Sequence, residues 1–211
     1  AGFVAGLLET LAVYAFARLL ARNKSPKARK TVFTLGVLFC VGLLCYFKYT
    51  NFLLETLSLP KVSVLPAPVG VSFLTFLLIS YLADVYHQKV TADRNLGRLT
   101  LFLGFFPQIV EGPICRYGQT AEQLWNVKGI TFSNLTLGIQ RILFGMMKKM
   151  VVADRLNPLI ETVFSGYKDF QGGVIAIAAV CYTVQLYMDF SGSMDAVMGT
   201  AQIFGITMPE N

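Results

Sequence analysis

Gln185-Leu186-Tyr187-Met188-Asp189-Phe190-Ser191-Gly192 decides how this chain is read. It places a carboxylate at the end of a 19-residue apolar stretch, Gly172–Phe190, that otherwise carries no charge. An acid at membrane depth costs a few kcal/mol or more, so such groups face a protein interior or a water-filled cavity. Gln185 and Asp189 are four residues apart and Tyr182 lies one turn before them, so all three share one helix face. A polar ridge on an apolar helix marks a site or a conduit. The plainer alternative is a hydrogen bond that packs one helix against another.

Composition sets the solvent. Of 211 residues, 55% are apolar and 14% are charged, against about 25% charged in soluble domains. The expected fold is all-α: a polytopic transmembrane helical bundle forming a single membrane domain over residues 1–211. The net charge of +6 is not a nucleic-acid footprint, because six of the 18 basic residues crowd between Arg18 and Lys30. A short basic loop between apolar segments marks the cytoplasmic side. Cys40, Cys45, Cys115 and Cys181 lack CxxC spacing and read as small apolar residues, not as a disulfide frame or metal site. There is no initiator Met and no basic leader, and both ends look cut. The chain is therefore expected to be a fragment.

Six segments follow. Gly2–Leu20 has small residues at Gly2, Ala5, Gly6, Ala12 and Ala15, and is interrupted by Glu9, which should face protein. Thr31–Leu54 ends in an interface anchor, Lys48 between Tyr46 and Tyr49, which places Asn51–Leu65 on the outer side. Val69–Tyr86 follows Pro66 and Pro68 and runs into Asp84, His87, Lys89, Arg94 and Arg98, a second cytoplasmic cluster. Leu99–Val110 is only 12 residues, carries Pro107 and meets Glu111-Gly112-Pro113. At about 18 Å it is too short to cross the membrane and is expected to be re-entrant.

Phe132–Val152 is amphipathic, with Leu135, Ile139, Ile142, Leu143, Met146 and Met150 in one stripe and Gln140, Arg141 and Lys148 roughly opposite. Gly138 and Gly145 lie two turns apart on one side. This helix could lie in the interface or line a cavity. Gly172–Phe190 is the sixth segment; Ser191-Gly192-Ser193 then separates it from a short amphipathic helix, about Asp195–Phe204. His87 is the only histidine, at a helix end, where a cation is favourable on electrostatic grounds alone. No His spacing for a metal and no Gly-x-Ser-x-Gly elbow is present.

Four blocks in order carry a family likeness: Pro68–Phe76 with Ser80–Tyr86; Phe105–Gln108 with Gly112–Ile114; Lys148–Leu156; and Gln185–Gly192 with Phe204-Gly205 and Pro209-Glu210-Asn211. On these the chain resembles the membrane-bound O-acyltransferase family, its alginate O-acetyltransferase type, which is akin to peptidoglycan O-acetyltransferases and teichoic acid D-alanyl transferases. The resemblance implies an O-acyltransferase of the cell membrane, multi-pass. It would move an acyl group, acetyl by expectation, from a cytoplasmic donor to hydroxyls of an extracytoplasmic polysaccharide or cell-wall polymer. The donor would be acetyl-CoA or an acyl-carrier protein, acting as substrate, with no tightly bound cofactor. Partners would be the lipid bilayer, the donor or its carrier, and an extracytoplasmic acetyltransferase that completes transfer; nucleic acid is not among them. The family's catalytic His is expected beyond Asn211, so this piece alone should be inactive.

Candidate residues follow. Gln185, Asp189 and Ser191 would wall a polar funnel. Glu111 and Arg116 flank the Gly-Pro turn, and would pin it as an ion pair or line a donor entrance. Lys148, Lys149 and Arg155 would meet donor phosphates or a carrier surface, or else anionic lipid. Two departures stand out: Glu111 replaces a small residue before Gly-Pro, and Gly192-Ser193-Met194-Asp195 replaces the usual Gly-Tyr-Ser-Asp. A transporter or export scaffold without catalysis is the rival reading, since broken helices and intramembrane charges also mark transporters.

Overall fold

The computed structural model describes residues 2–60, 70–107, 112–127 and 129–210. Every regular element among them is helical. They gather into two compact units, the first from α1–α6 and the second from α7–α9.

In the first unit, α1 is Gly2–Arg22 and α2 is Pro26–Leu44. Pro26 opens α2 because its missing N–H is one that no helix start can pair. The helix therefore begins five residues before the expected Thr31, and the basic loop shrinks to Asn23–Ser25. A π-helical turn, Cys45–Tyr49, carries α2 into α3, Thr50–Thr56, so that Pro26–Thr56 is one 31-residue rod. At 1.5 Å per residue it is about 46 Å long, more than the roughly 30 Å hydrocarbon core. Only 11% of its most apolar window is covered by the rest of the chain. The core helix of a soluble protein would be covered.

α4, Val71–Tyr86, is the centre of this unit. Thr75, Leu78, Tyr81 and Leu82 are fully buried. Gly36 of α2 lets the two helices approach, since a Cβ there would stand 2.5 Å from Leu82 Cδ2. Glu9 does face protein: it is 3% exposed, and the Thr75 hydroxyl donates to its Oε1 at 3.0 Å. Pro66 and Pro68 lie outside the described residues.

The short segment expected at Leu99–Val110 differs. α5 runs Leu96–Leu103, started by the Asn95 side chain accepting from Gly97 N at 2.9 Å and stopped by Gly104. An Asn cap upstream and a Gly after Leu103 outweigh the apolar run as boundary signals. Gln108–Glu111 lie outside the described residues. α6, Tyr117–Trp125, closes the unit.

In the second unit, α7 is Phe132–Met147, capped by the Thr131 hydroxyl accepting from Asn134 N at 3.1 Å. It passes through a π-helical stretch, Lys148–Ala153, into α8, Asp154–Ser165. The expected end at Val152 is thus too early. α9 is a single helix, Gly172–Ile203, of 32 residues. Ser191-Gly192-Ser193 does not interrupt it, a correction to the expected break. Gly192 is there for closeness: a Cβ on it would stand 2.6 Å from the Gly145 carbonyl oxygen. The most apolar window of α9 is only 6% covered by the chain.

Candidate functional site

The polar groups of the second unit converge along one seam between α7 and α9. Gly138 opposes Gly199 and Gly145 opposes Gly192, each with the partner's carbonyl oxygen inside the reach of a Cβ. As one number rises the other falls, so the helices run antiparallel with backbones in contact. Glycine pairs seven residues apart on both helices recur on the same face every two turns.

Flanking that seam, Asp195 is 8% exposed. Its Oδ1 accepts from Arg141 Nε at 3.1 Å and its Oδ2 from Lys148 Nζ at 2.6 Å. A buried carboxylate is tolerable only when paired in this way. The Lys148 ammonium also sits 4.7 Å from the centre of the Phe144 ring. The orientation of α7 is thereby settled. Arg141 and Lys148 face α9, while Ile139, Leu143, Met146 and Met150 are exposed. Of the expected polar set Gln140 is exposed too, and of the apolar stripe Ile142 packs against Gly199.

One turn and a half before Asp195, Asp189 pairs with Lys149, the two side chains being 46% and 50% exposed. Gln185 Nε2 donates to Asn157 Oδ1 of α8 at 2.9 Å. The expected Gln185–Asp189 face is thus real and turned toward neighbouring helices, while Tyr182 rests edge-on against Phe164 of α8. Lys148 and Lys149, at the start of the π-helical stretch, lie opposite Gly192 and reach the carboxylates three residues to either side of it on α9. Ser191 Oγ is buried and has no hydrogen-bond partner among the described residues. Arg155 is exposed on α8.

In the first unit, the expected Glu111–Arg116 pairing falls outside the described residues. A carboxylate near Arg116 is Asp84, 3.8 Å away and 6% exposed at the end of α4. Asp93 accepts from the Tyr117 hydroxyl at 2.5 Å and from Asn95 N at 2.8 Å. Burial, then the bond to Asp93, pushes the Tyr117 phenol well above its ordinary value. Burial alone raises the Cys115 thiol to about 11. His87 terminates α4 and is exposed.

Sequence reasoning missed Asp195 as the hub, reading it only as part of a motif departure. It also missed Asn157, and Asp93 with Tyr117. The signal available for Asp195 was the matching seven-residue spacing of Gly192 and Gly199, which fixes the packed face on which it lies.

No family model matches the chain. Individual proteins do. It is 32% identical over 218 residues to the probable alginate O-acetylase AlgI of Azotobacter vinelandii, covering 98% of this chain and 43% of that protein. It is 32% identical over 203 residues to the protein of the same name from Pseudomonas aeruginosa, covering 92% of this chain and 39% of that one. It is 28% identical over 228 residues to the peptidoglycan O-acetyltransferase of Helicobacter pylori, covering 93% and 43%. The helical fold and this similarity together place the chain in the membrane-bound O-acyltransferase family. Within it, the chain groups with the alginate O-acetylases. It spans less than half the length of the curated relatives it matches.

Proposed function

We propose that the full-length protein is an integral-membrane O-acyltransferase of the cell membrane, crossing it several times. It passes an acyl group, acetyl by preference, from a cytoplasmic thioester donor to hydroxyls of an extracytoplasmic polysaccharide or cell-wall polymer. The observation that carries this reading is the similarity to alginate O-acetylases along nearly the whole chain. Pro26–Thr56 and Gly172–Ile203, long and apolar enough to cross a membrane, support the setting. In this reading the chain after α5 re-enters the membrane, and the chain as a whole is part of one membrane domain.

The chemistry needs a base for the acceptor hydroxyl. His87, exposed at a helix end, is poorly placed for it, so a histidine outside these residues would take the proton while the hydroxyl oxygen attacks the acyl carbonyl. The C–S bond of the donor then breaks and the thiol leaves with a proton. Gln185, Asp189 and Ser191 would line the acceptor's path, and Lys148, Lys149 and Arg155 would face the donor side. Enclosure by protein limits loss of the acyl group to water.

The test is an acetyl-ester assay on polymer from cells expressing the full-length protein, with Asp189→Ala and Gln185→Ala beside it. Loss of ester at normal expression supports the path. Unchanged acetylation in both variants would return these residues to helix packing, and no acetylation by the wild type above an empty vector would remove the reaction itself.

A further inference from the structure

A cavity of about 750 Å³ opens in the first unit where α1 and α4 end and α2 begins, covered by the 88–98 loop, α5 and α6. Its size falls in the range of small-molecule sites. Four arginines line it, Arg18, Arg29, Arg94 and Arg98, together with Asp93 and Glu122.

These arginines are not equivalent. Arg29 is spent on the fold: its guanidinium donates to the carbonyls of Leu20, Val85 and Tyr86 at 3.2, 3.3 and 2.6 Å, closing the ends of α1 and α4. Asp93 is held by Tyr117 and the Asn95 amide. Arg18, Arg94 and Arg98 have no carboxylate partner among the described residues. Arg98 lies 5.3 Å from the centre of the Trp125 ring, which forms part of the same wall. The Tyr14 hydroxyl donates to the Arg94 carbonyl at 2.8 Å, so the loop bearing Arg94, which leads into the α5 turn bearing Arg98, is tied to α1.

We infer that this cavity is a binding site for a phosphate-bearing ligand, gripped by Arg18, Arg94 and Arg98. Three arginines on the wall of one concave space offer guanidinium forks suited to phosphate oxygens in geometry and charge. Single surface arginines would point outward into solvent. The site lies at the basic ends of the helices, so the phosphate is either that of a membrane lipid headgroup or that of a soluble phosphorylated compound. The inference does not depend on the acyl-transfer reading.

The experiment titrates inorganic pyrophosphate into the full-length protein in phosphate-free detergent, by calorimetry at low salt. Saturable binding is expected, about tenfold weaker in each of Arg18→Gln, Arg94→Gln and Arg98→Gln. Hydrogen exchange on the wild type gives a reading that needs no variant: pyrophosphate should slow exchange in residues 90–98 and 117–125. Nanodiscs separate the sources. If phosphatidylglycerol discs suppress pyrophosphate binding relative to phosphatidylcholine discs, the ligand is a headgroup; equal binding assigns the site to a soluble compound. No saturable binding and no protection by folded wild type overturns the inference, as does equal affinity in all three variants at wild-type melting temperature.

Discussion

Gly145 and Gly192 touch backbone to backbone: a methyl group added to Gly192 would lie 2.6 Å from the Gly145 carbonyl oxygen. A peptide oxygen cannot swing aside as a side chain can. Gly192→Ala and Gly199→Ala should each force α7 from α9 and cost on the order of 1–3 kcal/mol. The measurement is the melting temperature of detergent-purified protein. Gly42→Ala is the control, since nothing lies within 4 Å of a Cβ there; it should be neutral, or stabilising by up to about 1 kcal/mol.

Asp195 holds two cations in a mostly buried place. Asp195→Ala should destabilise by about 3 kcal/mol, because a mostly buried Lys148 then loses its carboxylate and Arg141 loses one of its partners. Asp195→Leu combined with Arg141→Leu and Lys148→Met should recover much of that loss. Thermal unfolding of these two variants and the wild type in one detergent checks the coupling, and a triple variant no more stable than Asp195→Ala would contradict it.

The Asp189–Lys149 pair is half-exposed and should contribute little to stability, under about 1 kcal/mol. Asp189→Ala therefore separates chemistry from folding. The expected outcome is near-normal melting with reduced polymer acetylation. A large melting shift would mark the pair as structural.

Glu9 is an acceptor for the Thr75 hydroxyl inside the first unit. Glu9→Gln keeps an acceptor of the same shape and should express normally. Glu9→Leu strands the Thr75 hydroxyl and should cost about 1–3 kcal/mol, read as reduced yield and lower melting temperature.

Cys115 is fully buried, and its thiol is raised from an ordinary 9.0 to about 11. At neutral pH it holds about a hundredfold less thiolate than an unperturbed thiol would. Since the neutral form is the favoured one when folded, this contribution to stability is full below pH 9 and fades as pH climbs through 11. Maleimide at pH 7.5 should spare Cys115 in the native protein and label it after denaturation, as peptide mass spectrometry would show.

The long helices were readable as uninterrupted apolar runs, although the first begins at Pro26, before the expected Thr31, and the last continues past Phe190 to Ile203. Gln185 and Asp189 were readable because four-residue spacing fixes a face whatever surrounds it. Three features were not. Glycine in Ser191-Gly192-Ser193 has the same spelling whether it ends a helix or admits a neighbour, and only the opposite helix distinguishes them. The π-helical stretch Lys148–Ala153 has no residue pattern of its own. Arg29 reads as one more loop cation, yet it fastens the end of α1, nine positions back, and the end of α4, 56 and 57 positions further on.

Arg141 and Lys148 leave the ribosome 54 and 47 residues ahead of the carboxylate that neutralises them. At roughly 5–20 residues per second, that gap lasts several seconds. Through that interval Arg141 and Lys148 wait for the carboxylate that receives them in the folded chain, so the seam between α7 and α9 can close only once α9 has been made.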